Sequence, residues 1–483
     1  MQPNEKIDGV TLKKLFQKSA DIQFQRYHFS SHTVEFITCD AMIDTQLLNE
    51  VIVPRVQLLC SHAQVMELEQ AIPSYLHIPS MKTPKTKEEI ISLVYSGHVL
   101  LYFVEEDLLI SGNISKKPNR NPEETRIEVP VQGPRDNFIE DISVNIALLR
   151  KRLPTNSLCV EKFVLGKRSK TAVALLYFDD IASEDTLNQI RSQLNQEDKD
   201  IVFSGSLLME SVNRSPKLFP RSHYTGRPDN AVQALARGRF LILVDGTAYA
   251  VITPVNLFFL VKTAEDNENT VFYSSVQRLL RVISILIGLL LPAFWLALTT
   301  FHQNQLPLQL LATIVQANLG LPFPSVFEML LMLGMFELFR EAGLRLPSVI
   351  GNTIGVVGGI IIGDAAIRAG LTSPAMIVII ATSTIATYTL VNQSLVSAVS
   401  LLRIGFILLT ASFGLFGFYL SLYFTIVYLS SIRIFGVPYM NLWTDLSWNS
   451  IKKTLLRLPP DQYKKRPNML DPKDKTRNKG GKK

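Results

Sequence analysis

Three cysteines in 483 residues, Cys39, Cys60 and Cys159, are too few and too widely spaced for a disulfide framework or a thiolate metal site. All three lie upstream of the apolar part of the chain, which fits a reducing compartment. No Ser/His/Asp constellation, P-loop, HExxH motif or paired Cys is present, so the chain reads as non-enzymatic, with no cofactor or metal expected. The opening MQPNEKIDGVTLKKLFQ lacks an apolar core and is not expected to be a signal peptide. Net positive charge is absent outside the tail. Residues 451–483 carry nine Lys, three Arg and three Asp, a balance of +9 (12 − 3), against +7 for the whole chain, which leaves −2 (7 − 9) elsewhere. A basic tail after a final apolar run marks the cytoplasmic side of a membrane and can meet anionic lipid. Nucleic acid is not expected as a partner.

Long uncharged runs are what the chain has instead. Residues 282–301 (VISILIGLLLPAFWLALTTF) and 404–430 (IGFILLTASFGLFGFYLSLYFTIVYLS) hold no ionisable side chain apart from tyrosine. Each is long enough to span the roughly 30 Å hydrocarbon core of a bilayer. The chain therefore reads as a membrane protein: a cytoplasmic α/β region followed by an α-helical transmembrane domain. About four crossings are expected, at 282–301, near 347–368, at 373–391 and at 404–430, with 321–347 as a re-entrant or interfacial helix. Arg278, Arg281, Arg368 and Arg433 flank these runs so that the positive-inside rule puts both termini in the cytoplasm.

The soluble half repeats itself. EEIISLVYSGHVLLYFVEEDLLIS (88–111) and DNAVQALARGRFLILVDGTAYAVI (229–252) align at a constant offset of 141, which matches Gly97 to Gly238. At the same offset VEFITCDAMIDT (34–45) faces LLYFDDIASEDT (175–186). Two related α/β subdomains follow, the second with a tight hairpin turn at its Asp-Gly. The expected division is 1–115 and 159–275 for these, 116–158 for a linker with an amphipathic helix, 276–432 for the membrane domain and 433–483 for the tail. The linker motif GPRDNFIEDISVNIALLRKR holds Gly133, Pro134, Arg135, Glu140, Asp141 and Asn145. Its Arg150, Lys151 and Arg152 suit the negative end of a helix. Asp179, Asp180, Glu184 and Asp185 read as solvated acidic turns, while Arg227 and Asp229 cap and brace the helix after them.

Two features of the membrane half call for explanation. The segment 321–347 carries Glu328, Glu337, Arg340, Glu341 and Arg345. An ionised side chain at the bilayer centre costs about 2.5–3.5 kcal/mol on insertion scales. Glu337–Arg340 and Glu341–Arg345 are spaced to pair along one helix; a locally paired surface cluster and a polar lining for an aqueous path are both open. In GNTIGVVGGIIIGDAAIRAG, Gly351, Gly355, Gly359 and Gly363 recur every fourth residue, a smooth stripe for close helix packing in lipid. The partner is a helix of the same chain or the same helix of another subunit in a ring. A ring would place Asn352, Thr353 and Asp364 at the mouths of a lumen.

Taken together, the linker motif, GRPDNAVQALARGRFLILVDGTAYAVITP, the block from Pro322 to Gly370 and the closing LLRLP resemble the A subunits of GerA-type spore germination receptors. The resemblance covers roughly residues 95–460. It implies a subunit of the spore inner membrane, working with a transporter-like B subunit and a lipoprotein C subunit. It also implies homo-oligomerisation into a nutrient-gated cation channel. Asn352 and Asp364 stand where the family usually has Gln, Val391 where it has Pro, and Gly226 where it has an acidic residue. An Asp364 repeated around a ring would favour cations. A non-conducting scaffold and a secondary transporter are the alternative readings.

Overall fold

The structure, a computed structural model, describes residues 8–29, 32–62, 68–78, 80–116, 134, 136–212, 218–345, 361–440, 452, 455–463 and 465–476. Strands β1 (Ile22–Phe29), β2 (His32–Cys39), β3 (His98–Phe103) and β4 (Leu108–Asn113) form an antiparallel sheet in chain order. Strands β5 (Leu158–Leu165), β6 (Thr171–Phe178), β7 (His223–Thr225), β8 (Phe240–Val244) and β9 (Ala250–Thr253) form a second sheet, ordered β5-β6-β8-β9-β7. Setting β7 aside, the two sheets share one pattern: a hairpin, an excursion through helices, then a second hairpin added to the same edge.

Helix α1 (Lys87–Tyr95) precedes β3, and α2 (Ile142–Arg152) leads into the second sheet. The short α3 (Gly205–Val212) and then α4 (Pro228–Ala236) precede β8. Thr86 caps α1 by accepting from the Glu89 N–H at 3.2 Å. Pro228 opens α4, where a missing N–H costs nothing. Gly97 and Gly238 follow α1 and α4 with φ near +90°, matching turns at the two ends of the 141-residue offset. The Asp-Gly hairpin is present but its turn is not tight: residues 245–249 separate β8 from β9. The longer turn has work to do. The Asp245 carboxylate accepts from the Ile142 N–H at 3.2 Å and the Gly246 N–H donates to the Glu140 carbonyl at 2.8 Å, docking the start of α2.

The helical half holds α5 (Val271–Thr300), α6 (Ser325–Arg345), α7 (Pro374–Tyr388) and α8 (Gln393–Ser431). Among the described residues, α5 and α8 are long and apolar enough to cross a membrane. Helix α8 is not one straight rod. Gly414 adopts φ +60°, ψ −139°, open to glycine and hostile to other residues. Beyond it the chain runs back. Phe406 and Phe418 would lie about 18 Å apart along a straight helix, yet their rings are 6.2 Å apart. The stretch 404–430, expected as a single crossing, is therefore a reversal between 393–413 and 415–431. A glycine in an apolar helix is unremarkable in sequence, so nothing local distinguished this one.

The bundle has two ends. At the end facing the sheets lie Arg278 of α5, the α8 cap Asn392, and Ile432, where the returning chain leaves the bundle. At the other end, Phe301 packs on Gly414. Helix α6 runs between them: Glu328 meets Thr372 just before α7, and Arg340 meets Ser400 in the second turn of α8. It packs among α5, α7 and α8 along its length rather than lying across one end, which replaces the interfacial or re-entrant placement. Residues 361–368 are helical, and Gly363 faces Ile377 of α7 at ordinary van der Waals distance.

Candidate functional site

Three sets of buried charges join the parts of the molecule. The first lies between the sheets. Arg150 is fully buried and grips Asp21 with two bonds, Nε at 2.8 Å and Nη2 at 2.9 Å. Its remaining nitrogen reaches the Thr155 carbonyl at 3.1 Å, and its guanidinium lies 4.1 Å over the Tyr95 ring. Burial alone would lower the Arg150 pKa, but Asp21 outweighs it and holds the group charged. The Cys39 thiol, 3.6 Å from Asp21, is pushed well above its ordinary range by burial and by that carboxylate. Arg150 thus does more than close a helix end. Its partner sits 129 residues upstream, out of reach of any local pattern.

The second set clamps the second sheet to α5. Asp266 is fully buried and accepts from Arg278 Nε at 2.7 Å and Arg281 Nη1 at 2.9 Å. Burial raises its carboxyl pKa, while the two guanidinium groups act the other way and prevail, so the group stays below its usual range. Arg278 also donates to the Leu456 carbonyl at 3.3 Å, and Arg457 donates to the Asn267 carbonyl at 2.7 Å. Part of the basic tail is therefore a strap across this joint, and Lys473 N–H continues it onto the Ile181 carbonyl at 3.0 Å. Lys473 also reaches Glu184 and Lys18 reaches Asp179, so two of the acidic-turn residues are paired, not merely solvated. Nearby, Arg227 is buried, pairs with Asp229 at 2.8 Å and approaches Glu265 at 3.7 Å. It occupies the N-cap position of α4 but makes no side-chain cap bond. A separate contact fastens α8: the amide of Asn392, whose oxygen caps the helix, meets His223 of β7 at 3.0 Å.

The third set lies inside the bundle. Glu328 is buried and accepts from the Thr372 hydroxyl and the Ser373 N–H, both at 2.6 Å. Further along α6, Glu337 pairs with Arg340, whose Nη1 reaches the Ser400 hydroxyl at 3.0 Å. Arg403 of α8, at 1% exposure, donates to the Ser383 hydroxyl at 3.0 Å and lies 4.0 Å from Glu337. Nε of both arginines is buried without a partner among the described residues. Two guanidinium groups here share one carboxylate. Arg403, flanked by apolar sequence, was not singled out in the sequence; the signal for it was an ionisable residue at the edge of a span.

Asp141 caps α2 by accepting from the Ser143 N–H at 2.7 Å. Asn145 is buried and closes a two-way bond with the Ile139 backbone at 2.8 and 2.6 Å. Glu140 meets Gly246 through its backbone, and Pro134 is exposed. Asp364 is exposed and pairs with Arg368 at 2.8 Å, one turn on. Glu341 is exposed. Gly133, Arg135, Gly351, Asn352, Thr353, Gly355 and Gly359 lie outside the described residues, as does the side chain of Arg345. One further group escaped the sequence reading: His32, Glu105 and Glu106 gather at the turns of the first sheet. Glu105 there accepts from the Thr33 N–H at 2.7 Å and Glu106 lies 2.7 Å from His32.

Residues 10–469 match the model of the family described as Bacillus/Clostridium GerA spore germination protein. Spore germination protein XA of Bacillus anthracis is 37% identical over 99% of this chain and 98% of its own length. Spore germination protein KA of Bacillus subtilis (strain 168) is 32% identical over 91% of this chain and 81% of its own. An uncharacterized membrane protein of the same strain, YfkQ, is 29% identical over 99% and 96%. Among solved structures, the N-terminal domain of the A subunit of the Bacillus megaterium spore germinant receptor GerK3 matches 52% of this chain and 96% of that chain. That match has 20% identity and a TM-score of 0.39.

Proposed function

The chain belongs to the GerA family of spore germination proteins, and on that premise we propose that it is a receptor A subunit whose copies assemble into a nutrient-gated cation channel. It works in the spore inner membrane beside a transporter-like B subunit and a lipoprotein C subunit, with its sheets and tail on the core side. The division at residues 115, 158, 275 and 432 belongs to the same proposal. In the glycine stripe, Gly351, Gly355 and Gly359 pack subunit against subunit, while Gly363 at its end faces Ile377 of the same chain. Asn352 and Thr353 sit at one mouth of the lumen and Asp364 at the other.

The observation that carries this reading is the joint at Asp266. A receptor must pass a change in its soluble part to its helices, and a buried carboxylate held by two arginines of the first long helix is a stiff connection for that. The exposure of Asp364 beside the stripe supports a pathway between subunits. The arginine excess around Glu337 speaks against cations passing through the chain's own bundle.

The test is potassium efflux from nutrient-triggered spores carrying Gly359→Leu, with the A, B and C subunits quantified alongside. Loss of efflux with all three subunits retained supports the conducting ring. Unchanged efflux removes the stripe from the pathway. Loss of efflux together with the partner subunits favours a non-conducting scaffold.

A further inference from the structure

A cavity of about 410 Å³ opens where the second sheet's helical excursion meets the first turns of α8. Its walls carry charges of both signs. Arg221 and Glu210 come from the soluble side, Ser394 and Ser397 from α8, and Leu401 closes the edge toward the bundle. Such a volume suits a small-molecule fragment, and its lining mixes polar and apolar side chains in similar number, the polar ones able to fix a ligand's orientation.

Arg221 is the informative residue. Its Nε is buried and makes no hydrogen bond among the described residues. A nitrogen closed to water is closed to a ligand as well, so a phosphate in the cavity would meet Arg221 through its terminal nitrogens. A guanidinium is also the side chain best shaped to grip a phosphate with two parallel bonds. The Ser394 hydroxyl and the positive N-terminal end of α8 favour an anion in the same space, while the Ser397 hydroxyl donates to the Gln393 carbonyl at 3.2 Å. Glu210, exposed at the rim, adds a partner for a cation carried by the same ligand.

The exit from the cavity identifies the source. Leu401 is 60% exposed, and the exposed surface of α8 continues through Ile404 and Leu408 toward the far end of the bundle. Leu401 and Leu408 are two turns apart and share a face. A ligand with its phosphate on Arg221 would therefore trail any hydrocarbon along an apolar strip, and a free anion would leave that strip unused. We propose that this cavity holds the headgroup of a membrane phospholipid, with its phosphate on Arg221, its ammonium at Glu210 and an acyl chain along Leu401, Ile404 and Leu408. Phosphatidylethanolamine has this pattern of charges, and phosphatidylglycerol lacks the cation. The inference shares with the channel reading only that α8 stands in a bilayer. It needs no conduction and no oligomer.

The experiment counts lipids retained by the purified full-length chain in native mass spectrometry, titrated with phosphatidylethanolamine, phosphatidylglycerol or inorganic phosphate. Arg221→Gln is expected to weaken phosphatidylethanolamine retention at least tenfold. Glu210→Gln is expected to erase most of the preference over phosphatidylglycerol. Arg433→Gln, which removes an exposed arginine elsewhere at the same end, should change neither. Equal retention by wild type and Arg221→Gln overturns the proposal. Displacement of the lipid by millimolar inorganic phosphate overturns the lipid as the source. Should Arg221→Gln fail to fold, Glu210→Gln decides, since an unchanged lipid preference overturns the headgroup assignment. Ion flux is not measured, so failure here leaves the channel reading standing, and the reverse holds too.

Discussion

Arg150 and Arg403 are buried to the same depth and keep very different company. Arg150, between the sheets, has one carboxylate to itself, a carbonyl and an aromatic face. Arg403, among the helices, has a serine hydroxyl, a carboxylate at 4.0 Å already held by Arg340, and a buried Nε with nothing to bind among the described residues. The first is a closed account of charge in a rigid seam. The second leaves positive charge in excess where desolvation is most costly. Buried ion pairs hold best where the geometry is complete, so the seam between the sheets is a fixed part and the bundle centre is a place able to change partners. The Asp266 joint stands between these extremes: one carboxylate serves two arginines, with backbone carbonyls making up the difference.

The largest effect is expected at the seam. Arg150→Met strands Asp21 in the interior, and breaking such a pair costs about 3–5 kcal/mol. Cys39 touches that carboxylate, so its labelling by a thiol reagent under native conditions should speed up about a hundredfold or more, at roughly a factor of ten per 1.4 kcal/mol. The Cys60 thiol, pushed up to about 11 by burial and set in the separate core of the first sheet, serves as an internal reference that responds less. Unchanged Cys39 labelling would mean that the seam is held by something else.

Asp266→Asn comes next. It leaves Arg278 and Arg281 facing each other, but their carbonyl contacts remain, so about 2–4 kcal/mol is expected, read as a lower unfolding temperature of the purified chain. The pH dependence has a defined sign. A carboxyl whose pKa is depressed on folding adds stability above its unfolded value, near 3.9, and that stability is lost as pH falls through the folded value. The joint should therefore hold between pH 7 and 5 and loosen only under acid below about pH 4. A loss of stability near pH 6 that disappears in Asp266→Asn would contradict the assignment.

Arg403→Met sharpens the contrast most economically. Glu337 keeps Arg340, and an excess charge is replaced by an apolar side chain of similar length. The expected change in stability is within about 1 kcal/mol and of either sign, set against the large loss for the same substitution at Arg150. Equal destabilisation at the two positions would erase the distinction between them.

How much of this the sequence disclosed depended on the range of the interaction. The repeated α/β order was legible because Gly97 and Gly238 sit at matching turns, where the chain needs φ near +90°. What was hidden was long-range. Asp21 and Arg150 are 129 residues apart, Glu328 and Thr372 44 apart, and each member alone resembles an ordinary surface charge or cap. The charges on α6 suggested a surface helix because helical spacing offers only partners on the same helix. The structure keeps the Glu337–Arg340 pair and adds partners from α8. Gly414 was hidden differently: glycines are common in apolar helices, and only the return of Phe418 onto Phe406 reveals a reversal. The tail read as a basic marker of the cytoplasmic side able to meet anionic lipid, and the structure adds that Arg457 and Lys473 bind backbone carbonyls of the soluble half.

The smallest change in stability and the most direct functional test belong to Asp364. Its pair with Arg368 is exposed, and such helix pairs contribute only about 0.3–0.5 kcal/mol. Asp364→Asn should therefore fold and assemble as the wild type does. The decisive measurement is the reversal potential of the reconstituted receptor under a potassium chloride gradient, wild type against Asp364→Asn. A cation-selective wild type whose permeability ratio falls severalfold in the variant is the predicted result. An unchanged ratio would contradict a cation pathway lined by this residue.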